Sequence, residues 1–245
     1  MSKPDAAEVN DTLIGVLTRL RASSSNSNAA LNILMKDYRN YHLVLAVVGG
    51  VFFVANVFAS VSLWARFRRT VSVGQRRWDF ERKAYVLFAT LGTGVALALA
   101  VIVAANVSTV RDPRPGFFGS MGLLRPPQLG TPRADLQAAY ASWLQTGQEQ
   151  MPAVVRRSVD DRVAWQAPKA VVCGALLIGL TALAVYVWRT LLARARQREF
   201  RWTRTNRLLR LAGLGLIPMC LMVMLMVMGN TQGALAPVSL TLFMS

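Results

Sequence analysis

The side chains that could do chemistry in this chain are few. Two neighbouring carboxylates, Asp160 and Asp161, stand beside three arginines, Arg156, Arg157 and Arg162. Paired carboxylates can exchange protons or bind a cation, but no nucleophile, base or metal ligand accompanies this pair. We therefore interpret the cluster as the solvated face of a helix, and we expect no catalytic residue.

Metal ions and haem need ligands that this sequence does not supply. His42 is the only histidine, and the chain contains neither a phosphate-binding glycine loop nor a CxxC pair. The two cysteines, Cys173 and Cys220, fall in apolar stretches, where a thiol behaves as a small apolar side chain. The sequence thus predicts no cofactor, no metal site and no enzymatic activity.

Charged residues lie in blocks that are separated by long uncharged stretches. They make up only 16% of the 245 residues, well below the roughly 25% of soluble domains, whereas 53% are apolar. Asp, Glu, Lys and Arg are absent from 42–65, 84–109, 170–188 and 211–245. Each stretch can hold the roughly 20 residues that a helix needs to cross the hydrocarbon of a bilayer.

These stretches predict an all-α, polytopic membrane protein with four transmembrane helices. We place the helices at about 43–64, 85–107, 169–188 and 211–230. Apart from Lys169 at the edge of the third span, these spans carry no Asp, Glu, Lys, Arg or His, which disfavours a proton or sodium pump.

The net charge of +16 is concentrated in the two connectors that follow the odd-numbered spans. The connectors hold Arg66, Arg68, Arg69, Arg76, Arg77, Arg82 and Lys83, and then Arg189, Arg194, Arg196, Arg198, Arg201, Arg204, Arg207 and Arg210. Basic clusters next to a membrane bind anionic lipid headgroups, and this explanation is preferred over nucleic-acid binding. We expect lipid contacts from Arg66, Arg68, Arg69, Arg194, Arg196 and Arg198.

The same arginines predict the sidedness of the chain, because Lys and Arg in short loops resist translocation. Both basic connectors should be cytoplasmic, and both chain ends extracytoplasmic. Residues 1–41 agree, with five basic against four acidic side chains, as do residues 109–168, with seven against five. No cleavable signal peptide is evident before the first span. Arg outnumbers Lys 24 to 4, which favours a GC-rich bacterial genome and hence a bacterial inner membrane.

Four tryptophans are candidate anchors at the membrane interface. Trp64 and Trp188 each close an odd-numbered span beside the arginines, and Trp78 and Trp202 follow in the connectors. An indole ring can sit at headgroup level with its N–H hydrated.

An internal repeat appears when the chain is shifted by 124 residues against itself. Trp64 then falls on Trp188 and Asn106 on Asn230, and 16 of the 96 positions from 11 to 106 are identical. We interpret the chain as two tandem two-helix repeats, 1–110 and 135–245, joined by a linker, 111–134. Copies of a two-span unit keep the same orientation, so a pseudo-twofold axis along the membrane normal is expected.

Each repeat begins with an outer segment of helical periodicity. The apolar positions are Leu13, Val16, Leu17 and Leu20 in the first copy and Leu136, Ala139, Tyr140, Trp143 and Leu144 in the second. These amphipathic helices could lie on the membrane, contact a partner or pack on the protein itself. The proline- and glycine-rich linker should be extended, and its apolar centre, which includes Phe117 and Phe118, suggests docking on a surface or on the bilayer.

Small residues mark the surfaces on which the spans can pack closely. Gly92, Ala96, Ala100 and Ala104 recur at every fourth position in the second span, and Ala170 with Gly174 forms a shorter version in the third. The interfaces could be internal, or they could join other membrane-protein subunits or copies of this chain.

Two functions are compatible with these features. The preferred hypothesis is a non-enzymatic subunit or scaffold of a larger bacterial inner-membrane complex. The alternative is an oligomeric channel or permease for a small solute or ion, with a pore lined by Asn56, Ser60, Thr90 and Thr93.

Overall fold

In the computed structural model, the regular secondary structure of the described residues is entirely helical. The described residues are 6–23, 27–72, 80–125, 127–128, 130–196 and 203–244. The helices are α1 Ala6–Ala22, α2 Ala29–Ser72, α3 Phe80–Arg111, α4 Pro113–Gly119, α5 Pro132–Thr146, α6 Ala153–Ala195, α7 Arg204–Leu235 and α8 Pro237–Met244, with a 3₁₀ turn at Ser120–Leu123. Several predicted interface residues, Arg76, Arg77, Trp78, Arg198, Arg201 and Trp202, lie outside the described residues.

Four of these helices are long and apolar enough to cross a membrane, which confirms the predicted fold class. They are α2, α3, α6 and α7, and each contains one of the predicted spans. The helices are longer than those spans: α2 has 44 residues, or about 66 Å at 1.5 Å per residue, whereas the hydrocarbon is about 30 Å thick. An uncharged stretch indicates which part of such a helix lies in the hydrocarbon of the bilayer, but it does not show where the helix begins.

The predicted linker differs from an extended chain. Pro113 opens α4, where its fixed φ suits a first turn and its missing N–H costs nothing. Phe117 and Phe118 are buried, and the chain continues into the 3₁₀ turn. Burying two phenyl rings outweighs the tendency of glycine and proline to leave the segment extended.

Contacts divide the chain into two compact units. Unit 1 comprises Met1–Leu45, Ala105–Pro168 and Asn230–Ser245, and unit 2 comprises Ala46–Ala104 and Lys169–Gly229.

Unit 1 has an aromatic and aliphatic core. Helix α1 packs against α5, and Leu17, Tyr140, Trp143 and Leu144 are fully or almost fully buried there. The apolar faces that the sequence places in the outer segments thus lie in the protein's own core. Of the apolar positions that the sequence predicts on these two faces, Leu20 and Ala139 are partly buried and the others are buried.

Two helix ends in unit 1 are joined through Asn28. Its side-chain carbonyl accepts a hydrogen bond from the Leu31 N–H at 2.8 Å and so caps α2. Its amide group donates to the Leu144 carbonyl at 2.8 Å, near the end of α5. Helix α5 ends at Gly147, whose φ of 64° is readily adopted only by glycine. This arrangement links the start of α2 to the end of α5.

Unit 2 exposes many large apolar side chains. Phe58 is 76% exposed, Val101 70% and Ile178 74%. Such a surface would aggregate in water but is suited to contact with lipid chains. The protein is therefore an integral membrane protein with several spans.

Inside unit 2, a tryptophan ring lies close to a glycine. A Cβ added to Gly213 of α7 would lie 2.7 Å from Nε1 and 2.8 Å from Cε2 of Trp188. The indole also packs edge-on against Phe88, with ring centroids 4.4 Å apart. A methyl group at position 213 would require the indole or the helix backbone to shift.

We predict that Gly213→Ala lowers the free energy of unfolding by about 1–3 kcal/mol, because the new methyl group overpacks the Trp188 ring. Thermal unfolding in detergent micelles, followed by tryptophan fluorescence, would measure the change. Gly215→Ala is the matched control, since nothing lies within 4 Å of a Cβ at that position. Equal melting temperatures for the two variants would contradict this packing.

Candidate functional site

The polar side chains of unit 1 are bonded across long distances in the sequence. Asp37 of α2 is buried, and its Oδ2 accepts hydrogen bonds from the backbone N–H and the hydroxyl of Ser239, both at 2.7 Å. Ser239 belongs to the C-terminal helix α8. The carboxylate therefore fixes α8 against α2.

Two further bonds hold α8. The Tyr140 hydroxyl of α5 donates to the Val238 carbonyl at 2.9 Å, and Nε of Arg162 in α6 donates to the Thr241 hydroxyl at 2.8 Å. Burial raises the pKa of Tyr140 well above its usual value, and the Asp37 carboxylate raises it further. The phenol therefore stays protonated and keeps donating.

A histidine in the same unit has one ring nitrogen paired and one unpaired. Nδ1 of His42 lies 2.7 Å from the Asn106 side-chain oxygen. Since that oxygen can only accept, Nδ1 carries the proton, and Nε2 of the neutral ring is an acceptor. Nε2 is buried and has no hydrogen-bond partner among the described residues.

His42 lines a cavity in unit 1 whose volume is about 630 Å³. The lining side chains are aromatic, basic, small or aliphatic, and comprise Tyr38, Tyr41, His42, Ser120, Gly122, Leu123, Arg125, Arg133, Leu240 and Phe243. No carboxylate is among these described lining residues, so the two guanidinium groups give the cavity a positive potential. Nε of Arg133 is also buried and unpaired within the described structure.

The chemistry available in this cavity is binding. Guanidinium groups hold phosphate or carboxylate oxygens, and the aromatic and aliphatic walls accommodate apolar groups. Within the described ranges, no three His, Cys, Asp or Glu side chains come together as a metal site.

The carboxylate and arginine cluster singled out in the sequence is spread over α6. Asp160, Asp161, Arg156 and Arg157 are exposed, whereas Arg162 turns inward to Thr241. Cys173 is buried and Cys220 is half-buried, and the two are not joined by a disulfide.

The tryptophans expected at the membrane interface take part in helix packing. Nε1 of Trp64 donates to the Thr93 hydroxyl at 3.2 Å, which joins α2 to α3. Nε1 of Trp188 is buried without a partner among the described residues, where the sequence predicts a hydrated N–H. Both rings make contacts within unit 2, and their position at the headgroup level stays a prediction.

The small-residue stripe of α3 is only partly covered. A Cβ on Gly92 would lie 2.5 Å from the Ser60 hydroxyl of α2, and Ala96 is buried. Ala100 is half-buried and Ala104 is exposed. On α6, Ala170 and Gly174 are half-buried, and nothing lies within 4 Å of a Cβ at Gly174. Among the four stripe residues, the contact with α2 is closest at Gly92, although α2 also comes near α3 where a Cβ on Gly49 would lie 3.3 Å from Val103.

The arginines expected to contact lipid divide into two groups. Arg66, Arg68 and Arg69 are exposed. Arg196 bonds the Glu81 carboxylate, with Nε–Oε distances of 3.1 and 3.2 Å, and Arg194 donates to the Asn206 side chain at 3.2 Å. These two arginines join the helices of unit 2 to one another.

The sequence-based reasoning missed the cavity. Arg125 and Arg133 are not part of a basic cluster, and His42 was set aside because it is a lone histidine at a span boundary. One feature of the sequence could have indicated a site here. It is the apolar run from Phe117 to Leu124, which lies between Arg114 and Arg125.

Comparison with known proteins adds no relationship: no protein-family model, no curated protein and no solved structure matches the chain.

We predict that Asp37→Ala lowers the free energy of unfolding by about 1–3 kcal/mol, because it leaves the Ser239 N–H and hydroxyl without their acceptor. It should also make the C-terminal residues susceptible to carboxypeptidase, since α8 loses one of its attachments. Digestion of the detergent-solubilised protein and its thermal unfolding would measure both effects. Asp160→Ala, which removes an exposed carboxylate, should change neither, and an unaltered Asp37→Ala variant would contradict the assigned bond.

Proposed function

We propose that this protein is a non-enzymatic scaffold subunit of a larger bacterial inner-membrane complex. The observation that carries the proposal is that polar side chains of unit 1 form hydrogen bonds within the protein. Asp37, Tyr140 and Arg162, which could each take part in proton transfer or binding, instead bond α8. Groups committed to internal bonds give a rigid body and leave little for catalysis.

The pattern of these bonds supports a structural role. They join positions that are far apart in the chain: Asp37 to Ser239 across 202 residues, and Asn28 to Leu144 across 116. A surface that must present fixed positions to other subunits needs such cross-links, because a flexible surface pays an ordering entropy whenever it binds. Anionic lipids and other subunits, or further copies of the chain, are the proposed partners.

We further propose that the two halves arose by tandem duplication. Helices α2 and α6 begin 124 residues apart, at Ala29 and Ala153. The same spacing separates the starts of α3 and α7, at Phe80 and Arg204, and of α4 and α8, which both open on a proline. The packing of α1 on α5 then brings equivalent elements together.

The contacts of the short helices support the duplication as well. Tyr38 of α2 packs edge-on against Phe117 of α4, with ring centroids 5.5 Å apart. The positions 124 residues further on, Arg162 and Thr241, are hydrogen-bonded. The short helix that follows the second span of each copy would therefore be held at the same place with different chemistry.

An oligomeric channel stays a prediction. Two of the side chains expected to line a pore bond their own helices: Asn56 donates to the Phe52 carbonyl and Thr93 to the Ala89 carbonyl. Ser60 is buried beside Gly92. Of the four residues, Thr90 is exposed.

The scaffold proposal predicts an assembly of fixed composition. The protein would be extracted together with its surrounding lipid and examined by native mass spectrometry. The spectrum should show one species, whose mass exceeds that of a single 26.9 kDa chain plus bound lipid. Val154→Asp, at an apolar position that is 48% exposed in unit 1, should reduce that species. Gln145→Asp, at an exposed polar position, should leave it intact. A monomer alone in the unaltered protein would refute the proposal.

We also propose that unit 1 is extracytoplasmic, as the arginine-rich connectors support. The test uses a background in which both native cysteines are replaced by alanine. A cysteine at the exposed position Thr146 should react with a membrane-impermeant maleimide in spheroplasts. One at the exposed position Arg204 should react only after permeabilisation. The opposite labelling pattern would reverse the topology.

A further inference from the structure

The cavity of about 630 Å³ in unit 1 combines groups that a purely structural core would avoid. Arg125 and Arg133 line it, and neither guanidinium forms an ion pair with a carboxylate in the described part of the chain. Cations that line a cavity without a counter-ion attract an anion. Arginine forks are suited to the oxygens of a phosphate group.

Two polar atoms of the lining residues have no hydrogen-bond partner among the described residues. Nε2 of His42 is an acceptor, since Nδ1 is bonded to Asn106, and Nε of Arg133 is a donor. Both are buried and unpaired among the described residues. Buried polar atoms nearly always have a partner. After a small rotation of the two side chains that line the cavity, an occupant would supply one acceptor and one donor to these atoms. A phosphate ester that also carries a hydroxyl group meets both requirements.

The remaining walls are apolar. Leu123, Leu240 and Phe243 line the same cavity as the arginines, and Leu123 is 64% exposed. An inorganic anion would leave these walls without contacts. An amphiphile would use them, because its apolar part gains from leaving water.

The position of His42 in the chain indicates the source of such an amphiphile. The residue is the first of the uncharged stretch 42–65 in α2, and its partner Asn106 lies near the end of the uncharged stretch of α3. Residues at these boundaries are expected at the level of lipid headgroups.

We propose that the cavity binds an anionic phospholipid with a hydroxyl-bearing headgroup. Its phosphate would lie against Arg125 and Arg133, a headgroup hydroxyl would donate to Nε2 of His42, and the glycerol and first acyl carbons would contact Leu123 and Phe243. The site differs from the cytoplasmic arginine clusters, and it does not depend on the scaffold proposal.

Binding would be measured on the full chain, delipidated in detergent and titrated with three short-chain or soluble probes. Phosphatidylglycerol carries the charge and the hydroxyls, phosphatidylcholine carries a phosphate but no headgroup donor, and glycerol 3-phosphate lacks acyl chains. We expect the dissociation constant of phosphatidylglycerol to be lower than that of either other probe by about tenfold or more. Equal binding of phosphatidylcholine, or of glycerol 3-phosphate, would overturn the assignment to an anionic lipid.

The variants separate the cavity from general charge. The double variant Arg125→Gln with Arg133→Gln should weaken phosphatidylglycerol binding about tenfold or more. The matched control, Arg156→Gln with Arg157→Gln, removes two arginines from another surface of unit 1 and should bind normally. An unaffected Arg125 and Arg133 double variant, or an equally weakened control, would overturn the site.

His42→Phe tests the role of the acceptor. It should retain lipid binding but lose most of the preference for phosphatidylglycerol over phosphatidylcholine, since the phenyl ring keeps the contact with Tyr38 and removes Nε2. An unchanged preference would overturn the proposed hydrogen bond. If this variant fails to fold, as judged by its melting temperature, the arginine variants decide the proposal.

Discussion

The exclusion of charge from hydrocarbon is the constraint on which the rest of this structure depends. Four uncharged stretches leave the membrane-spanning helices with few groups for specific polar contacts, so unit 2 relies on close packing. The indole of Trp188 against Gly213 and the approach of α3 to Ser60 at Gly92 are examples. Its large apolar side chains remain exposed because lipid, and not protein, is their solvent.

Unit 1 is stabilised in a different way from unit 2. It contains short helices that would not be stable alone, and it buries polar groups that must be paired. Both problems are met by connecting distant parts of the chain: α1 packs on α5, and α8 is held by Asp37, Tyr140 and Arg162. The C-terminal helix is thereby an integral part of the unit. A duplicated ancestry would account for this design, since two half-units of equal length can cover each other's apolar faces.

The cavity differs from the polar contacts that hold α8 and cap α2. Elsewhere in unit 1 the buried carboxylate, the phenol and the capping amide each have a partner. At the cavity, one histidine nitrogen and one guanidinium nitrogen lack a partner within the described residues. Unpaired polar atoms beside apolar walls are compatible with an amphiphile, and they are the basis of the proposed lipid site.

The sequence by itself determined the helical class, the number of spans and the approximate position of each, because charge and hydropathy act locally and leave a direct record along the chain. It also identified the apolar faces of the outer segments, although not what would cover them. Only the tertiary structure decided that Phe117 and Phe118 are buried in a folded segment, that Trp64 and Trp188 pack between helices, and that Arg194 and Arg196 bond other side chains. The meeting of His42 with Asn106, and of both arginines with the same cavity, was likewise beyond the sequence. Such contacts join residues far apart in the chain, and no local pattern records which distant partner a side chain will reach.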